Sequence, residues 1–395
     1  MKKIQRTIPD RNIAYNSWDH MSQNINISKD QIEKLNLRIL NFDKKIEINL
    51  SDENKNKIKW YLDTIKKIQN NEALSDQEYF FNAQEMLQAL NISDKDFLRF
   101  LIFRYNFNIY PRLKKLSKYP PCVQIEPTSI CNYRCVMCYQ IDKSFSGKSH
   151  GMMGHMSLDL FKKIIDELEG NVEAITLASR GEPTLNPNIV EMLEYCRNKF
   201  LGLKMNTNAS MLNEKLIHSI LSSNFSEIVF SVDAADKDAY EKIRINGKFD
   251  KVVKNLRLFS EIKKKYYKNI QTIVKISGVK INTEINVSSL EQKFREFADV
   301  IQLVGYTPWE SAYDNDKNTI LSPCGFLWRR MFVWWDGKVN PCDYDYKSKL
   351  SVWNVKEKNI SQIWNSKEYN NYRNLHLSKQ RKEIYPCDRC SFTSE

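Results

Sequence analysis

Cys131-Asn132-Tyr133-Arg134-Cys135-Val136-Met137-Cys138 is the stretch that most restricts what this chain can fold into. Three thiols fall at spacings of four and three residues, just after the run Val123-Gln124-Ile125. Structural zinc sites usually present C-x2-C pairs closed by a second pair. Three cysteines with no fourth nearby suit a cubane iron–sulfur cluster, which leaves one iron free of protein. A free iron can bind something other than protein.

The chain has room for two or three domains, taking roughly 150 residues for each. Its apolar content of 42% is too high for a disordered chain. No run approaches the ~18 apolar residues of a spanning helix. Met1-Lys2-Lys3-Ile4-Gln5-Arg6 starts basic but has no apolar stretch behind it, unlike a secretory signal. A cytoplasmic location is expected, and there nine cysteines argue for metal or redox chemistry rather than disulfides. The net charge of +12 would steer an anionic substrate or merely solvate helix faces, since no stretch concentrates it.

Residues 1–118 read as a helical N-terminal domain. Ser51 opens a segment with Ile58, Tyr61, Leu62, Ile65 and Ile68 on one face. Ser75-Asp76-Gln77-Glu78 reads as a capping box, and Ser93-Asp94 starts another helix. Tyr119-Pro120-Pro121 ends the helical pattern. From there to about residue 310, strand-like runs begin near Cys122, Val172, Leu203, Glu227, Thr272 and Val300, with helical patterns between most of them. Such alternation implies an α/β fold with a parallel sheet covered by helices.

The cysteine spacing resembles the signature of the radical S-adenosylmethionine (SAM) superfamily, with Met137 where an aromatic residue is common. The resemblance implies a partial (β/α)6 TIM-like barrel over 119–310, with its site at the strand C-terminal ends. It implies that Cys131, Cys135 and Cys138 hold a 4Fe–4S cluster whose open iron chelates SAM. It further implies a 5′-deoxyadenosyl radical that abstracts a substrate hydrogen. Ser179-Arg180-Gly181-Glu182-Pro183 is similar to the family's Gly-Gly-Glu motif, with Arg180 in place of the first glycine. Gly181, Glu182 and Pro183 are therefore expected at the SAM amino group, with Met137 on the adenine and Asn208 near the ribose. Ser231 and Arg244 resemble SAM ligands of members with a second cluster domain. Asp233 and Glu284 are the candidate catalytic carboxylates, with Lys280 and Asn282 beside the substrate.

Residues 311–395 carry a second set: Cys324, Cys342, Cys387 and Cys390. Asp336-Gly337 between apolar runs signals a hairpin, with Cys342 at the start of its return strand. Spacing alone suits zinc as well as iron here. With Ile363-Trp364-Asn365, Tyr372-Arg373 and His376, the segment resembles the auxiliary-cluster extension called SPASM, or its shortened twitch form. The resemblance implies one auxiliary 4Fe–4S cluster, fully ligated by cysteine and suited to electron relay. Two clusters and SAM are thus the expected cofactors, and a flavodoxin or ferredoxin the expected electron donor.

The expected activity is oxidation of a sugar or aminocyclitol, with the auxiliary cluster taking the substrate's electron. The alternatives are a maturase of a ribosomally made peptide and a redox-neutral sugar epimerase or dehydratase. Cys122 and Cys196 are poorly placed to return a hydrogen atom, which weighs against epimerisation. A zinc-binding nucleic-acid protein is the non-enzymatic alternative, and the basic patch with aromatics that it needs is missing. Neither membrane nor nucleic acid is an expected partner.

Overall fold

In a computed structural model, residues 21–22, 27–43, 50–75 and 80–390 are described. The described residues divide into a helical unit, 27–43, 50–75 and 80–117, and a second unit, 118–390, that also takes in Met21 and Ser22.

The helical unit contains α1 (Lys29–Asp43), α2 (Asp52–Gln69), α3 (Ala83–Asn91) and α4 (Asp94–Arg112). Ser51 caps α2 by accepting from Asn54 N, as the sequence suggests. Ile58, Tyr61, Leu62 and Ile65 are its buried face. Three of the four residues of the expected capping box, Asp76 to Glu78, lie outside the described residues. A capping box does form at Asn82 and Glu85, opening α3. Arg38 satisfies the end of α3, donating to Ala89 O at 2.5 Å and Ile92 O at 2.7 Å.

The second unit is built on six strands: β1 (Cys122–Ile125), β2 (Ala174–Leu177), β3 (Gly202–Thr207), β4 (Glu227–Ser231), β5 (Ile273–Lys280) and β6 (Val300–Gly305). Each begins within two residues of its sequence-based position, and neighbours pair in parallel in the order β6-β5-β4-β3-β2-β1. Helices Leu158–Leu168, Ile189–Cys196, Glu214–Ser222, Phe249–Tyr266 and Val287–Phe294 fill the crossovers. The result is the partial barrel.

Strand composition explains the curvature's two sides. Side chains alternate across a strand. Ile175, Leu177, Leu203, Met205, Ile228, Phe230, Val274 and Ile276 form the helix-covered side, where Phe230 meets Phe259 edge-on at 5.0 Å. The other side carries Gln124, Thr176, Lys204, Asn206, Glu227, Ser231, Lys275, Ser277 and Gln302. Register confirms that they share a face: Gln124 pairs with Thr176, Thr176 with Lys204, and Ser231 with Ser277, which pairs with Gln302. Parallel sheets usually read as apolar on both faces. Here one face is apolar, and the inner one mixes these polar residues with a few apolar ones such as Val229 and Ile273.

The C-terminal segment extends the same sheet. β7 (Arg330–Val333) pairs in parallel with β1, and β8 (Lys338–Asn340) returns antiparallel to β7. Gly337 makes the turn at φ +90°, a conformation that glycine adopts without strain. The hairpin is as expected, but Cys342 lies two residues beyond the return strand rather than at its start. Arg373 anchors the following helices, stacking on Trp364 and Tyr369 while donating to Leu327 O and Trp364 O.

Candidate active site

The loop after β1 carries the first cysteine set. The Cys131 thiol is raised by burial and then by the charge of Cys135. Burial raises Cys135 to about 11, and burial with the Cys135 charge raises Cys138 to about 12. The charges of Cys135 and Cys138 both raise Cys131, and that of Cys135 raises Cys138, so the three thiols are neighbours. Cys131 Sγ already accepts from Tyr133 N at 3.4 Å, and donors to sulfur are what tune an iron–sulfur cluster. A cation that displaced the protons would relieve the repulsion, so the donor set fits a cluster.

Neighbouring strand ends hold that loop. After β2, Gly181 is packed against it: a Cβ there would stand 2.3 Å from Thr128 O and 2.6 Å from Ile130 O. The glycine is required by close approach to the cysteine loop. Glu182 is fully buried, and its carboxylate gathers Thr184 Oγ1 and Thr207 Oγ1 at 2.6 Å and Asn208 N at 2.7 Å. Burial pushes its pKa up. Pro183 opens the turn Pro183–Leu185. Asn208 donates to Asn132 Oδ1 at 3.0 Å, tying the β3 end to the cysteine loop. Met137 is buried beside the thiols and Ser231 stands half-buried at the end of β4.

Asp233 and Arg244 are brought together. Arg244 Nε lies 2.6 Å from Asp233 Oδ2, and Nη2 is 3.1 Å from Oδ1. The arginine fork expected to face the SAM carboxylate is thus turned to Asp233, whose own carboxylate is engaged. Glu284 is exposed on the loop after β5, Asn282 is half-buried there, and Lys280 ends the strand.

The second cysteine set converges as the sequence suggests. Cys324, Cys342, Cys387 and Cys390 line one small, largely apolar cavity with Leu327, His376 and Arg381. Cys342 is pushed far up by burial and by its neighbours' charges, Asp343 and the three other thiols among them. Tyr344 N donates to Cys342 Sγ at 3.2 Å, repeating the arrangement at Cys131. Arg381 Nη2 and Asn318 Nδ2 both hold the Cys390 carbonyl at 2.9 Å. His376 Nδ1 accepts from Cys324 N at 3.1 Å. Four thiols in an apolar, backbone-pinned pocket again fit a cluster.

Several pairings in the site escaped the sequence reading. Glu126 and Arg180 form a buried bidentate pair, Nη2–Oε1 2.6 Å and Nε–Oε2 2.7 Å. Arg180 also donates to Tyr346 O at 2.9 Å and lies over the Trp334 ring at 4.2 Å. Asp343, next to Cys342, reaches Gln124 on the inner face of β1 at 3.4 Å, and Arg330 donates to Gln124 at 3.0 Å. Buried Asn206 Oδ1, Gln302 Oε1 and Asp343 Oδ1 have no hydrogen-bond partner. Alternation such as Lys204-Met205-Asn206 and Lys275-Ile276-Ser277 was the available signal for the polar inner face.

Residues 125–302 match the radical SAM superfamily, and residues 324–391 match SPASM, an iron–sulfur cluster-binding domain. The chain carries a radical SAM domain followed by a SPASM domain, and the cofactors of that pair are SAM and 4Fe–4S clusters. It is 29% identical over 191 residues to the mycofactocin maturase MftC of Mycobacterium tuberculosis, covering 48% of this chain but only 43% of that relative. It is 25% identical over 324 residues to a tungsten-containing aldehyde ferredoxin oxidoreductase cofactor-modifying protein of Pyrococcus furiosus, covering 68% and 86%. Its fold is similar to that of Streptococcus suis SuiB bound to S-adenosylmethionine, with a TM-score of 0.51, 13% identity, and 88% and 94% of the two chains covered. Among the described residues no helix is long and apolar enough to cross a membrane.

Proposed function

We propose that the protein is a radical SAM oxidoreductase that dehydrogenates a sugar or aminocyclitol and discharges the substrate's electron into its C-terminal domain. The convergence of Cys324, Cys342, Cys387 and Cys390 on one cavity carries this reading. A cluster closed by four protein thiols has no iron left for substrate, which leaves electron transfer as its use. Cys131, Cys135 and Cys138 would hold the other cluster, with Glu182, Asn208 and Ser231 placed around its SAM. SAM, when bound there, supplies the acceptor for a hydrogen atom. The substrate gives up its C–H hydrogen as an atom and its O–H or N–H hydrogen as a proton, and one electron then leaves it. Asp233 is engaged by Arg244, whereas buried Asp343 keeps one carboxylate oxygen, Oδ1, without a hydrogen-bond partner.

The polar groups of the inner face support a hydroxyl-rich substrate: Asn206, Ser277 and Gln302 offer amides and a hydroxyl, and Asp343 adds a carboxylate from the C-terminal segment. A second reading, maturation of a ribosomally made peptide, is favoured by the similarity to a protein named as a maturase. A cytoplasmic location and a flavodoxin or ferredoxin donor belong to the same proposal. Anaerobically reconstituted enzyme should hold about eight irons and eight sulfides. With SAM and dithionite it should form 5′-deoxyadenosine and, from a sugar or aminocyclitol panel, a product lighter by two hydrogens. A product of unchanged mass would sink the oxidation, and turnover of peptides alone would select the second reading.

A further inference from the structure

Arg244 is fixed to the cysteine loop by backbone as well as by side chain. Arg134–Cys135 and Arg244–Ile245 form a two-stranded antiparallel ladder in which Cys135 faces Arg244 directly. Val136 N extends it by donating to Ile243 O at 3.0 Å. The guanidinium is enclosed, with the side chain 8% exposed and that of Asp233 fully buried. Asp233 grips the Nε–Nη2 edge, and its Oδ1 is itself held by Val279 N at 2.8 Å. That leaves Nη1, which lies 3.9 Å from Cys135 Sγ. Carboxylate, guanidinium and sulfur therefore stand in a row, away from solvent.

We propose that Arg244, oriented by Asp233, is a positioning residue that sets the reduction potential of the cluster carried by Cys131, Cys135 and Cys138. The inference rests on the ligand reading given above. Adding an electron to a cluster makes it more negative, so a nearby cation and N–H donor favour the reduced form. Burial leaves that charge weakly screened. Asp233 opposes the effect with its own charge while holding the fork toward the sulfur. The two residues thus act on the potential with opposite sign.

The test is an anaerobic redox titration of the reconstituted full chain without SAM, followed by electron paramagnetic resonance. Native protein is compared with Arg244→Gln, Arg244→Lys and Asp233→Asn, and a variant with Cys131, Cys135 and Cys138 all changed to Ala assigns the signals. At the potential that half-reduces the native cluster, Arg244→Gln should lower the reduced fraction about tenfold. Arg244→Lys should lower it less, and Asp233→Asn should raise it. The C-terminal cluster, titrated in the same samples, should not move. General damage to the loop would shift both sites' variants in one direction, and that result overturns the inference, as does no shift at native iron content. If Arg244→Gln does not hold its cluster, the opposed directions of Arg244→Lys and Asp233→Asn decide. If the triple cysteine variant keeps both signals, the ligand reading itself fails and the inference falls with it.

Discussion

Gly181 sits where the cysteine loop comes closest to the end of β2. Replacing it with Ala puts a Cβ 2.3 Å from the Thr128 carbonyl, a backbone atom that cannot swing away. The loop from Thr128 to Cys138 must then shift. The Gly181→Ala protein is expected to bind about half the native iron after reconstitution, because only the first cysteine set is displaced. Iron analysis checks this, and full iron content would show that the loop yields without losing its cluster. Ser179, two residues earlier, has φ 137°, a region that disfavours any side chain. Its backbone is held there by Tyr139 Oη donating to Ser179 O at 2.9 Å. Ser179→Gly should raise the unfolding free energy by about 1 kcal/mol, as measured by urea denaturation. An unchanged or lower value would mean that the position carries no strain.

At the level of elements, the strand ends make the site by sharing one another's polar groups. Glu182 at the end of β2 collects donors from its own turn and from β3, so two strands converge on one carboxylate. Asn208 and Asn132 then join β3 to the loop after β1. The loop's three thiols are positioned by this lattice and by the Cys135–Arg244 ladder. The polar inner face follows from the same geometry. A strand that curves around a lumen packs apolar side chains on helices and turns the alternate ones inward. Glu227 pairs there with Lys204 at 2.6 Å and with Lys275 at 3.1 Å, so the buried carboxylate has its counter-charges.

At the scale of the whole molecule, the barrel and the C-terminal domain share one sheet, and a buried ion pair of the barrel reaches across to that domain. β7 continues the parallel sheet beside β1, while Glu126 and Arg180 link the ends of β1 and β2 to Trp334, Trp335 and Tyr346. Breaking a buried pair leaves an uncompensated charge. Arg180→Met should therefore cost about 3–5 kcal/mol, whereas Arg180→Met combined with Glu126→Leu should recover part of that loss. Urea unfolding of the two variants tests it, and equal stabilities would show that Glu126 is not stranded by the single change.

Much of this protein is determined by its sequence alone. Three cysteines at spacings of four and three residues single out the loop after β1, because the number and spacing of thiols are local properties. Hydrophobic periodicity places the six strands to within two residues, because period and turn chemistry are local too. Cys324, Cys342, Cys387 and Cys390 also declare themselves, although iron and zinc remain open until the family is considered. Tertiary structure alone decides how the polar groups pair. Arg180 reads as a departure from a glycine motif and proves to be half of a buried ion pair with a residue 54 positions earlier. Asp233 reads as a catalytic carboxylate and Arg244 as a SAM ligand, and they prove to hold each other. Asp343 carries no signal in the sequence, and the fold brings it to Gln124 on the inner face of β1. A buried charge must find its partner somewhere in the fold, and the distance to that partner along the chain is not written in either residue.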